Sequence, residues 1–155
     1  MTSTLTAATM TVTVTESINL NGTNQGATNT LSLASIAEVS KRIVNVPASE
    51  VEVVAMSTAV AAGTFVESTV KYIRLTNLDD TNHITLTFKD EDATEFAVLL
   101  DKGQSFIYNG DISAGVVNTM HAGGSALTVS LNDLVNITAL ADTAACDMEI
   151  LVAST

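Results

Sequence analysis

Apolar and hydroxyl side chains alternate at period two in Met10-Thr11-Val12-Thr13-Val14-Thr15 and again in Ile84-Thr85-Leu86-Thr87-Phe88. Successive side chains of a strand point to opposite faces, so such a segment buries one face and wets the other. No stretch of useful length carries apolar residues at helical spacing. A chain of 155 residues patterned in this way is expected to be all-β.

Composition bears on what kind of β protein this is. Apolar residues make up 46% of the chain, enough for a core at this length. Aromatic residues are only 4% and Trp is absent, so the core must come from Val, Ile, Leu, Ala and Met. The 23 Thr residues are β-branched and suit the wet face of a strand. Pro occurs once, at Pro47, unlike a Pro-rich disordered chain.

Strands are predicted over residues 10–15, 39–46, 50–56, 70–77, 84–88, 96–100, 106–108, 112–117, 126–131, 134–140 and 148–152. Val44, Val46, Ile73 and Leu75 are expected to point inward, with Lys71 nearer the rim. Residues 31–36 read as a short strand or a turn of helix. Residues 21–29, rich in Asn and Gly, read as a loop. Turns are expected at 79–82, 90–92, at Lys102-Gly103 and at Asn109-Gly110, and a flexible turn at Gly123-Gly124. About eight to ten short strands separated by turns point to a sandwich or barrel. Residues 1–9 read as an N-terminal arm and 10–155 as a single β-sandwich domain.

Charge narrows the partners. The net charge is −11, from 17 acidic and 6 basic residues. Lys41, Arg42, Lys71, Arg74, Lys89 and Lys102 are scattered along the chain, whereas phosphate backbones and anionic lipids call for clustered cations. Nucleic acid and membrane are therefore not expected as partners, and a basic protein surface is compatible. The N-terminus lacks the cationic and apolar regions of a secretory signal. No run of about 18 apolar residues is present to form a spanning helix.

Chemistry finds little to work with. The sole cysteine, Cys146, opens an apolar strand and reads as a small buried hydrophobe. His83 and His121 lie beside a turn and in a loop, with no zinc-type spacing around them. Phosphate-cradling and nucleophile-elbow motifs are missing from the sequence, so the chain reads as non-enzymatic and no cofactor is expected. The acidic turns Asp79-Asp80 and Asp90-Glu91-Asp92, with Glu95, are candidate Ca²⁺ ligands, but they lack EF-hand spacing and read first as solvated turns.

The segments Lys71-Tyr72-Ile73-Arg74-Leu75-Thr76-Asn77-Leu78-Asp79, Ile84-Thr85-Leu86 and Phe96-Ala97-Val98-Leu99-Leu100-Asp101-Lys102-Gly103-Gln104-Ser105-Phe106 resemble small virion proteins of tailed bacteriophages. The closing pair, 135–141 and 147–153, is similar to the last hairpin of the same proteins. The likeness covers about half of the chain, lies in strand texture, and transfers no functional residue. It implies a jelly-roll-like antiparallel β-sandwich that assembles into a phage particle. By that analogy the expected role is a capsid decoration (cement) protein on the outer capsid surface. Its partners would be the major capsid protein and itself, as a homotrimer. Met10, Val12 and Val14 are the expected interface residues. A tail, neck or fibre component and a Ca²⁺-dependent glycan-binding module for host attachment are the alternatives.

Overall fold

The computed structural model describes residues 4–109, 116–117 and 131–155. Contacts divide the chain into two units, Met1–Glu38 (with the terminal Thr155) and Val39–Ser154. The boundary thus falls after Glu38, not between an arm at 1–9 and a body from residue 10. Helix is absent from the described residues, so none is long and apolar enough to cross a membrane.

The first unit is one long antiparallel hairpin. Strand β1 (Ala8–Thr15) pairs with β4 (Thr28–Ile36), and the two-residue strands β2 (Asn19–Leu20) and β3 (Thr23–Asn24) pair beyond them. Backbone bonds from Glu16 N to Ala27 O and from Gln25 N to Ile18 O, both 2.9 Å, join the two ladders. The expected loop at 21–29 is therefore the hairpin's tip and the start of β4. Asn21 and Gly22 turn it with φ of 52° and 81°, the positive pair that a two-residue hairpin turn requires. Gly26 lies so close to Glu16 that a Cβ would sit 2.0 Å from its carbonyl oxygen. The register runs unbroken past Gly26, and the exposed, mostly polar residues around it leave no period-two burial pattern to read. Residues 31–36, open between strand and helix in the sequence, are strand.

The second unit is built on eight strands of five residues or more: β5 (Glu38–Val46), β6 (Val51–Ser57), β8 (Val70–Asn77), β9 (Ile84–Asp90), β10 (Glu95–Leu100), β11 (Ser105–Asn109), β14 (Leu134–Ala141) and β15 (Cys146–Ser154). One sheet runs β11-β8-β15-β5. The other runs β10-β9-β14-β6, with the short β7 (Phe65–Val66) parallel to the edge of β6. Every connection between these eight strands changes sheet except the β9–β10 hairpin, and the first of them lies beside the last. That winding makes an antiparallel β-sandwich of jelly-roll type. β12 (Val116–Val117) and β13 (Leu131–Asn132) add a two-residue pairing. The rest of the strands expected at 112–117 and 126–131 lies outside the described residues, as do Gly110, His121 and Gly123-Gly124.

Both sheets feed one core. Ile84, Leu86 and Phe88 are buried and alternate with half-buried Thr85, Thr87 and Lys89. Val46, Ile73 and Leu75 face inward from the other sheet, joined by Met148, Ile150 and Val152 of β15, and Val44 packs against the same cluster. Phe88, 1% exposed, is the largest fully buried side chain. Its ring stacks on Phe96, the directly opposite residue of β10, at 4.8 Å and 5° between planes. Phe106 of the other sheet tilts against it at 4.9 Å and 47°. This three-ring contact bridges the two layers. Phe88→Ala is expected to cost about 3–5 kcal/mol in urea denaturation; a loss below about 1 kcal/mol would mean the rings do not hold the layers together.

Candidate functional site

The expected interface residues share one face of the hairpin. Met10 lies opposite Leu33, Val12 opposite Leu31 and Val14 opposite Asn29. Met10, Val12 and Leu33 are half-buried, while Leu31 is exposed and Val14 is 42% exposed. The other face pairs Thr11 with Ser32, Thr13 with Thr30 and Thr15 with Thr28. Thr15 and Thr28 share a hydroxyl hydrogen bond of 3.2 Å. The period-two pattern of residues 10–15 thus gives one apolar and one hydroxyl surface. Toward the tip, Ile18 and Leu20 are 52% and 59% exposed.

The candidate Ca²⁺ ligands divide between two turns at opposite ends of β9, roughly 20 Å apart by strand rise. In the first turn, Asp79 Oδ1 accepts the backbone N–H groups of Thr81 (2.8 Å) and Asn82 (2.6 Å). Those amide donors hold the Asp79 carboxyl below the usual carboxylate range. Asp80 accepts the Thr81 hydroxyl. In the second turn, Asp90 is buried and its Oδ1 accepts the N–H groups of Asp92 (3.1 Å) and Thr94 (2.6 Å). The Asn132 amide bridges Asp90 Oδ2 (3.2 Å) and Asp92 Oδ2 (2.7 Å). Glu91 lies against the Asp133 backbone. Glu95 points to Lys89 Nζ instead, at 3.1 Å. Among the described residues no three His, Cys, Asp or Glu side chains converge as a metal site would need. In both turns, carboxylate oxygens serve as acceptors for the turns' own N–H and O–H groups.

His83 Nδ1 lies 3.8 Å from Asp142 Oδ2 at a half-exposed position. Cys146 is buried; burial, and then the charges of Asp79, Asp142 and Asp147, push its thiol up in pKa. A thiol held neutral in this way is a poor nucleophile.

Two buried polar residues organise these turns: Asn77, which sequence reasoning passed over, and Asp90, which it read as part of a solvated acidic turn and a candidate Ca²⁺ ligand. Asn77 continues the inward row of Ile73 and Leu75, and Asp90 continues that of Ile84, Leu86 and Phe88. A polar residue at a core-facing position was the available signal. Asn77 Nδ2 donates to Asn82 O (2.9 Å) and Leu100 O (3.2 Å), and its Oδ1 accepts the Asp79 N–H (3.0 Å). It joins the β8–β9 turn to the end of β10.

On the outer face of the other sheet, Glu149 of β15 meets Lys41 Nζ (2.9 Å) and Arg74 Nη2 (2.5 Å). These two cations hold its carboxyl below the usual range. The Thr138 hydroxyl, and then Lys89, do the same for Glu50. No protein-family model, no curated protein and no solved structure matches the chain.

Asn77→Ala removes three hydrogen bonds and is expected to cost about 2–4 kcal/mol, read from the urea midpoint. A change within about 0.5 kcal/mol would deny it an anchoring role. The lowered carboxyls set the sign of the acid response. A carboxyl whose folded-state pKa lies below its unfolded value stabilises above the unfolded value, and that stabilisation fades as pH falls through the folded value. The thermal midpoint should therefore decline below about pH 4.3, less steeply in Glu149→Gln. Identical slopes in both chains would exclude a contribution from the Lys41–Glu149–Arg74 contact.

Proposed function

We propose that the chain is a virion structural protein of the capsid decoration type, which binds the outer capsid as a homotrimer and braces neighbouring major capsid subunits. The observation that carries this reading is the jelly-roll winding of residues 39–154. The segments that resemble phage virion proteins are the strands of that winding: 71–79 runs along β8, 84–86 opens β9, 96–106 spans β10 and β11, and 135–141 and 147–153 are β14 and β15. Jelly rolls serve as viral capsid domains, and also as lectin and cupin domains. Fold alone does not choose among these uses; the resemblance of these strand segments supports the virion.

Charge supplies the docking chemistry. Fifteen of the 17 acidic residues lie beyond Glu38, and many fall in turns: Asp79, Asp80, Glu91, Asp92, Asp101 and Asp142. Such turns suit basic patches on a capsid lattice, and the attraction weakens as salt screens it.

Co-sedimentation with undecorated phage capsids tests the reading. The chain should pellet with capsids at about 0.05 M salt, release at about 0.5 M, and raise the temperature at which the capsids rupture. A chain that stays in the supernatant at low salt and leaves the rupture temperature unchanged is not a decoration protein of those capsids.

A further inference from the structure

The hairpin of residues 8–36 is poorly suited to stand as a two-stranded sheet. The arms, Ala8–Leu20 and Thr23–Ile36, are 13 and 14 residues long, roughly 45 Å at the usual rise. Its sheets hold two strands each, so among the described residues β1 and β4 both keep one edge with no strand beside it. In an antiparallel pair about half of each strand's N–H and C=O groups face away from the partner. A two-stranded hairpin is marginally stable in water, and a third strand is the usual remedy.

Natural edge strands are guarded by lysines, prolines or inward-pointing charges. Residues 8–36 contain no Lys, Arg, His or Pro, and Glu16 is their only charge. The remaining defence is the irregularity between Ala8 and Met10. From Met10 to Thr15 the hydroxyl-bearing ladder runs on with no further shift.

Charge identifies the occupant. All six basic residues and 15 of the 17 acidic ones lie beyond Glu38, so residues 39–155 carry a net −9 and repel their copies. The hairpin is a long segment, with Glu16 as its single charge, at which two copies approach without that repulsion. A strongly basic partner would find only Glu16 and Glu38 to pair with in the first 38 residues. An identical hairpin matches the length, the neutrality and the apolar-hydroxyl division of faces.

We propose that the hairpin is the self-assembly element of this protein: hairpins from separate copies add edge to edge into one continuous sheet, which gathers Met10, Val12, Val14, Leu31 and Leu33 of each copy onto a shared apolar face. The inference rests on the self-association in the proposed function and deepens it, while needing no capsid. Its failure is therefore distinct from a failure to bind capsids.

Light scattering on the full chain, with hydrogen exchange on the same samples, tests it. The unaltered chain is expected at a multiple of 16.1 kDa, with β1 and β4 amides protected continuously along each strand. Val12→Lys and Thr13→Lys put a charge on either face of β1, and each is expected to shift the mass to 16.1 kDa. Protection along β1 and β4 should then drop to every second amide, while that of β8, β9 and β14 is unchanged. The last observation guards against a variant that merely unfolds. A chain that is monomeric at all concentrations overturns the proposal. So does an oligomer that keeps its mass in both variants, or one whose hairpin amides are protected only alternately.

Discussion

Strands cannot satisfy their backbone within one segment, and no helix occurs among the described residues, so each N–H and C=O group of a strand depends on a neighbour elsewhere in the sequence. That requirement shapes both units. In residues 39–154 it is met by two sheets wound around one apolar layer, where Phe88 touches Phe96 in its own sheet and Phe106 in the other. In the first unit it is met on one side of each strand only, and the open sides turn a folding element into a surface for assembly. The same hydrogen-bonding demand thus produces closure in one part of the chain and incompleteness in the other.

Polar groups at the ends of the sandwich obey the same rule. Asn77 and Asp90 interrupt inward rows of apolar residues, and each is surrounded by donors or acceptors from the turns. Burying them unpaired would cost far more than a methyl group gains there, so the turns around them are held in a single arrangement. The acidic residues of these turns consequently act first as structural acceptors. Asp79, Asp80, Glu91 and Asp92 add negative charge to these turns.

How much of this could be read from the residues varied with the origin of the signal. Period-two alternation placed β8 and β9 to within two residues, because one face of each is buried and the other is not. It missed the hairpin tip, where Asn19, Asn24 and Thr23 are all exposed and burial leaves no trace on the pattern. The turn signal Asn21-Gly22 was present, but Gly26 and the surrounding Asn residues made the whole segment look like loop. Sheet order was beyond reach for a different reason. The pairing of β14 with both β9 and β6 joins residues 44 to 88 positions apart, and nothing local encodes it. Of the candidate site, the apolar row Met10, Val12 and Val14 was visible as a pattern. Its opposite numbers Leu31 and Leu33 emerge only from the register.

In the winding of the sandwich, β5, its first strand, lies beside β15, its last. During synthesis β5 leaves the ribosome about a hundred residues before its neighbour exists. For that interval its edge has no native mate, and the four-stranded sheet cannot close until β15 has been made. Closure of this sheet is therefore a late step and a slow one, as expected where the defining contact spans almost the whole domain. A nascent chain truncated before Cys146 would hold most of the strands and still lack the one that closes the β5 edge.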